Sequence, residues 1–158
     1  AAYPQMFVAR AFTKMHAIPG LRLGYGITSD TELMERMSRA RQPWSVSIPA
    51  QEAGIAALSE EEALKTEKTR ILIQAERARM EQELAGLGIH VIPSEANFIL
   101  MHSSMDLAEK LKGKGILIRD CGNYRGLEKG WYRAAVRLPE ENDLLLKAVR
   151  EISERRTY

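Results

Sequence analysis

Thr13-Lys14-Met15-His16-Ala17-Ile18-Pro19-Gly20-Leu21-Arg22-Leu23-Gly24-Tyr25 sets one lysine ahead of one arginine across a Pro-Gly turn. The apolar run Met6 to Phe12 leads into it and reads as a buried strand. Leu21 to Thr28 reads as a second strand, with Pro19-Gly20 turning the chain between them. A lysine that follows an apolar strand and precedes a turn stands where α/β sheets place active-site groups. Partial desolvation and a cationic neighbour both disfavour the protonated amine, which makes such a lysine a usable nucleophile. A fixed guanidinium such as that of Arg22 is a good clamp for a dianionic phosphate. Each residue alone also has a plainer reading, as a charge that meets solvent.

Outward from this stretch the chain becomes helical. Ser29 with Glu32 is a capping-box signature that opens a helix through about Arg41, and Gln42-Pro43-Trp44-Ser45 breaks it. Trp44 reads as a packing anchor. A further helix is expected over Pro49 to Leu58. Ser59 and Glu62 form a second capping box, and a long helix follows to about Leu87, with Leu64, Ile71, Ala75 and Ala78 at helical spacing. Gly86 and Gly88 end it.

The texture then changes to short strands. Ile89 to Ile92, Phe98 to Met101, Ile116 to Arg119 and Trp131 to Leu138 read as four of them, with a helix over Asp106 to Lys112. Pro139-Glu140-Glu141 starts a last helix, because proline suits the first turn and acids suit its dipole. Leu145, Val149 and Ile152 give that helix its apolar face. The order β-β-α-β-β-α predicts an α/β chain ending in a small α+β layer, a mostly antiparallel sheet backed by helices.

Composition narrows the class. The chain has 158 residues, 45% hydrophobic and 28% charged, values of a globular protein with length enough for a real core. No apolar run approaches a membrane span, and Ala-Ala-Tyr-Pro-Gln at the start is not a secretory signal. The single Cys121 excludes an internal disulfide and favours a reducing, cytoplasmic setting. A net charge of +2, with basic and acidic residues interleaved, gives no argument for nucleic acid. His16, His90, His102 and Cys121 lack metal-ligand spacing, so no metal site is expected.

Arg119 and Arg133 form a second constellation. Arg119 ends an apolar strand. Alternation puts Arg133, Ala135 and Arg137 on one face of the last strand and Tyr132, Ala134 and Val136 on the other. A charge in a half-buried strand needs a partner. That partner is either an Asp or Glu of the same domain or an anionic substrate, which arginine grips in bidentate fashion.

Three segments in order resemble one family. The stretch from Phe12-Thr13-Lys14 to Gly24-Tyr25 is similar to the lysine segment of the fold-type I pyridoxal-phosphate (PLP) enzymes, the class I and II aminotransferase superfamily. With Gln42-Pro43-Trp44-Ser45-Val46, and with Ile116 to Tyr124, Gly126-Leu127 and Tyr132 to Arg137, the likeness is strongest to the L-threonine-O-3-phosphate decarboxylases. The histidinol-phosphate aminotransferases share the layout. They more often carry Ser-Lys at the lysine and a Leu-Arg-Ile-Thr-Val-Gly type of run on the last strand, from which Tyr-Arg-Ala-Ala-Val-Arg departs.

The resemblance implies that Lys14 is the lysine joined to PLP and Arg22 a ligand of the cofactor phosphate. Arg133 would hold the substrate α-carboxylate, with Arg119 beside it facing the substrate's anionic groups. It implies a small-molecule amino-acid phosphate as substrate and a homodimer as the full-length assembly. Decarboxylation, leading to an aminopropanol phosphate for cobalamin synthesis, and transamination, as in histidine biosynthesis, both use these residues. In the family the lysine segment lies well past the middle. The chain therefore reads as a C-terminal portion: residues 1–48 the end of the PLP-binding large domain, 49–87 bridging helices, and 88–158 the small domain. Such a portion alone is expected to turn over little. A binding or assembly module that has lost catalysis is the reading from another class.

Overall fold

The opening hairpin forms around the lysine stretch. The computed structural model describes residue 3 and residues 5–154. In it β1 (Phe7–Ala11) pairs antiparallel with β2 (Gly24–Thr28), in a register from Phe7 opposite Thr28 to Ala11 opposite Gly24. Gly24 is required by close approach, since a Cβ there would lie 2.7 Å from the Arg10 carbonyl oxygen.

Two expectations are corrected in this hairpin. The second strand starts at Gly24, not Leu21, because Pro19–Leu21 forms a 3-10 turn; the fixed φ of proline suits a helical first position. The first strand is exposed along all five residues, not buried, and among the described residues only β2 pairs with it.

Helix α1 (Thr31–Ala40) is capped by Asp30 and not by Ser29: the Asp30 carboxylate accepts the Leu33 amide at 2.9 Å. The Pro43 break holds, but Trp44 is 95% exposed at a left-handed φ of 57°, so it anchors no packing here. Helix α2 (Ile48–Ala57) starts on Ser47, whose hydroxyl accepts the Ala50 amide. Helix α3 (Glu60–Gly86) starts on the predicted cap, with the Ser59 hydroxyl accepting the Glu62 amide at 3.3 Å.

The buried face of α3 differs from the one expected. Leu64, Ile71, Ala75 and Ala78 are exposed, and Glu76, Met80 and Leu84 are buried. The sheet layer decides this: Met80 and Leu84 belong to the same core as Ile99, Met101 and Tyr132.

That core is built on a four-stranded sheet. Strands β3 (His90–Ile92), β4 (Phe98–His102), β5 (Arg119–Asp120) and β6 (Trp131–Ala135) run in the order β3-β4-β6-β5, every pairing antiparallel. Helices α4 (Leu107–Lys112) and α5 (Pro139–Glu154) complete the predicted β-β-α-β-β-α order. Strand β5 is shorter than expected, because Ile116 and Ile118 leave the ladder and pack against the core. Leu107, Leu111, Leu145 and Val149 close the core from the helical side. Each such side chain contributes about 1.5–3 kcal/mol by leaving water.

A polar clasp joins α3 to the start of α5. The buried Glu76 carboxylate accepts from Asn142 Nδ2 at 2.8 Å and from Arg79 Nη2 and Nε at 2.7 and 3.0 Å. Asn142 also accepts the Arg137 amide at 2.9 Å and donates to its carbonyl. The chain divides into two compact units, Ala1–Glu67 and Lys68–Tyr158, with the boundary inside α3.

Candidate functional site

The first unit carries Lys14 and Arg22 on one connection. The Phe12 amide donates to the Leu23 carbonyl at 3.2 Å, extending the ladder by one rung and closing the loop that holds both residues. Inside the loop the Ala17 amide donates to the Lys14 carbonyl at 3.2 Å, and Ala17 takes a left-handed φ of 54°. Arg22 follows the 3-10 turn at φ 52° and ψ 40°, and its Nη1 donates to the Pro19 carbonyl at 3.0 Å. Two non-glycine residues held left-handed in one loop store backbone strain, a pattern concentrated at ligand clamps and active sites.

Lys14 is exposed, and among the described residues it makes no ion pair. His16 is tied more firmly. Its ring packs on Phe12 at 5.3 Å, and Nδ1, buried without a hydrogen-bond partner among the described residues, lies 3.9 Å from the Glu62 carboxylate. An amine and a guanidinium on one strained turn fit a cofactor that carries an aldehyde and a phosphate: the amine can bond the first, and Arg22 keeps donors for the second.

In the second unit Arg119 and Arg133 are direct register partners across β5 and β6. Partners in register point to the same face, and like charges so placed repel. No carboxylate lies within ion-pair distance of either among the described residues, whereas Arg137, two residues past the end of β6, reaches Glu141 at 2.7 Å. Aromatic rings hold the two guanidinium groups instead. Arg133 lies 4.9 Å from the centroid of Phe98, and Arg119 lies 5.5 Å from that of Tyr124.

Cys121 sits beside this pair. Burial pushes its thiol up from the ordinary cysteine range, and Arg133, then Arg119, pull it back down.

The structure thus places Lys14 and Arg22 on one loop of the first unit and Arg119 opposite Arg133 in the second. Phe98 and Tyr124 were missed as supports. Phe98 faces Ala135, two residues from Arg133, and this diagonal becomes visible once the strand register is known. Among the described residues no group of three or more His, Cys, Asp or Glu is placed for a metal, and no helix is long and apolar enough to cross a membrane.

Residues 1–149 match the family described as aminotransferase class I and II, and the chain belongs to that family. Among its relatives, the threonine-phosphate decarboxylase of Salmonella typhimurium is 40% identical over 94% of this chain and 42% of its own length. The histidinol-phosphate aminotransferase of Nitratidesulfovibrio vulgaris is also 40% identical, over 96% of this chain and 40% of its own. The crystal structure of the histidinol-phosphate aminotransferase from Clostridium acetobutylicum superposes with a TM-score of 0.89 at 31% identity, covering 98% of this chain and 47% of that one. The chain spans less than half the length of these relatives. The expected aminotransferase fold, with antiparallel sheets backed by helices, is therefore the fold found.

Proposed function

We propose that this chain is the C-terminal part of a PLP enzyme acting on a phosphorylated amino acid, a threonine-phosphate decarboxylase. The observation that carries the reading is the Arg119–Arg133 pair, opposed in register with no carboxylate partner among the described residues. Two cations held face to face are stable together when an anion lies between them.

The residues then divide the work. Lys14 Nζ would hold the aldehyde end of the cofactor and would move a proton at the substrate Cα. Arg22 would hold the cofactor phosphate. PLP, when bound, supplies an electron sink for the electron pair left at Cα. Arg133 would grip the substrate α-carboxylate, with its guanidinium held over the Phe98 ring at 4.9 Å. Arg119 meets the substrate's other anionic group. Holding both ends of the substrate sets which Cα bond stands ready to break. In the decarboxylase the carboxylate leaves as carbon dioxide, and a proton takes its place at Cα.

A second reading, histidinol-phosphate aminotransferase, is favoured by the 40% identity and the 0.89 superposition given above. Lys14 Nζ would then take the proton from Cα. In either case residues 1–48 would end the large domain, 49–87 would bridge, and 88–158 would form the small domain. The assembled enzyme would be a cytoplasmic homodimer.

The test is an assay of the complete encoded protein with PLP. Carbon dioxide released from O-phospho-L-threonine without an amino acceptor supports the decarboxylase. Turnover of histidinol phosphate that requires a 2-oxo acid supports the second reading. Neither activity, in a protein that binds PLP, overturns both.

A further inference from the structure

The rim of β5 holds polar groups that the four expected site residues do not account for. A concavity of about 680 Å³ is lined by Ile118, Arg119, Asp120, Gly122, Asn123 and Lys129. It wraps the outer edge of β5, the last strand of the sheet, and the loop that leads on to β6. Arg119 therefore belongs to two surfaces, the face it shares with Arg133 and this rim.

The loop is tied down. The Cys121 amide donates to the Trp131 carbonyl at 2.8 Å, and the Tyr124 amide to the Cys121 carbonyl at 3.0 Å. A Cβ on Gly122 would meet Lys129 Cα at 3.4 Å, so the two ends of the loop lie against each other and bring Asn123 and Lys129 to one place. Among the described residues neither Asn123 nor Lys129 has an ion-pair or side-chain hydrogen-bond partner. The one carboxylate in the concavity, Asp120, is partly committed: its Oδ1 accepts the Gly122 amide at 2.8 Å. Two cations against one carboxylate leave the rim positive.

We propose that Asn123 and Lys129 complete, with Arg119, a subsite for the phosphate end of the substrate. This rests on the phosphorylated amino acid proposed above as the substrate. A carboxylate offers two oxygens, which the Arg133 fork saturates. A phosphate offers three and a second negative charge, so it takes the Arg119 fork, the Lys129 ammonium and the Asn123 amide together. Arg119 and Arg133 then serve different anions. Lys129 and Asn123 thereby become the residues that separate a phosphorylated amino acid from its unphosphorylated parent.

The test follows the amides and side chains of the isotopically labelled complete encoded protein by NMR, without PLP so that no probe turns over, at constant ionic strength. The probes are inorganic phosphate, O-phospho-L-threonine and L-threonine. Both phosphate-bearing probes should shift the Asn123 side-chain amide and the Gly122 and Lys129 backbone amides, and L-threonine should not. Lys129→Met should weaken O-phospho-L-threonine binding about fivefold to tenfold, and Asn123→Ala should weaken it by less. Unchanged Ile99 and Tyr132 signals would show that each variant is folded.

Absent shifts at the rim, equal shifts from L-threonine, or a Lys129→Met affinity equal to that of the unsubstituted protein would each overturn the subsite. Two outcomes separate it from the substrate reading. Shifts at Arg133 with a silent rim would overturn the subsite and keep that reading. Rim shifts from inorganic phosphate, with O-phospho-L-threonine leaving Arg133 untouched, would keep the anion subsite and remove the substrate assigned to it.

Discussion

The two units differ in how far their own residues cover them. In the second, the sheet buries one face against α4, α5 and the end of α3, and Ile99, Met101, Leu107, Leu111 and Val149 are fully buried. In the first, both strands of the hairpin are almost wholly exposed, and among its described hydrophobic residues only Phe12 and Ala50 are buried. An open apolar groove of about 530 Å³ runs past Phe12, Leu23, Val46, Ala50 and Leu58. One unit therefore has a core of its own, and the other leaves its apolar strands exposed among the described residues. Lys14 and Arg22 sit on the second kind, Arg119 and Arg133 on the first. Their chemistry should differ in robustness for that reason.

The largest test of this contrast is core truncation. Ile99→Ala, in the second unit, should cost about 2–5 kcal/mol in denaturant unfolding. Ile27→Ala, on the exposed hairpin, should change stability by no more than about 0.5 kcal/mol. Equal losses would erase the contrast.

Next in size is the clasp. Asn142→Ala leaves the Glu76 carboxylate and the Arg137 backbone short of partners and should cost about 1–3 kcal/mol. Hydrogen bonds from Arg79 first, then Asn142, hold the Glu76 carboxyl below the ordinary carboxylate range. A carboxyl depressed in the folded state adds stability above its unfolded value, and loses it as pH falls through the folded one. The second unit should therefore weaken below about pH 4, and Glu76→Gln, less stable at neutral pH, should lose less on acidification. Denaturant melts across that range read this directly.

An effect of the same size is expected from backbone fit. Gly130 has φ 99°, and a Cβ there would lie 2.7 Å from the Ser103 carbonyl oxygen. Gly130→Ala should cost about 1–3 kcal/mol. Gly20→Ala, where a Cβ meets nothing within 4 Å, should be nearly silent by thermal melting.

The smallest is the Cys121 thiol. Buried and held up by desolvation, it should react with a disulfide reagent more slowly than free cysteine at neutral pH. Arg133→Met, by removing one stabilising charge, should slow it a little further.

Much of this was legible in the sequence where a signal is local. Ser59 with Glu62, Pro139 with its acids, and the alternation around Arg133 each encode their own geometry, and each element forms there. Adjacent candidates were harder: Ser29 and Asp30 both suit a cap, and only the helix register selects Asp30. The buried stripe of α3 was not legible, because Glu76 is an unlikely core residue until Asn142 and Arg79 reach it from other turns and helices. Trp44 shows the opposite limit: a large aromatic promises packing, but its surroundings decide. Lys14, Arg22, Arg119 and Arg133 stand out in the sequence through the family resemblance, and their roles are the ones proposed above. The rim of Asn123 and Lys129 was not, since it exists only when the β5–β6 loop closes on itself.

The most direct measurement of the central claim is on the complete encoded protein loaded with PLP, reduced with borohydride, digested and mapped by mass spectrometry. The account predicts one pyridoxyl group, fixed on Lys14 and absent from a Lys14→Ala variant that still folds. A pyridoxyl group on another lysine, or none on a protein that carries bound PLP, would contradict it.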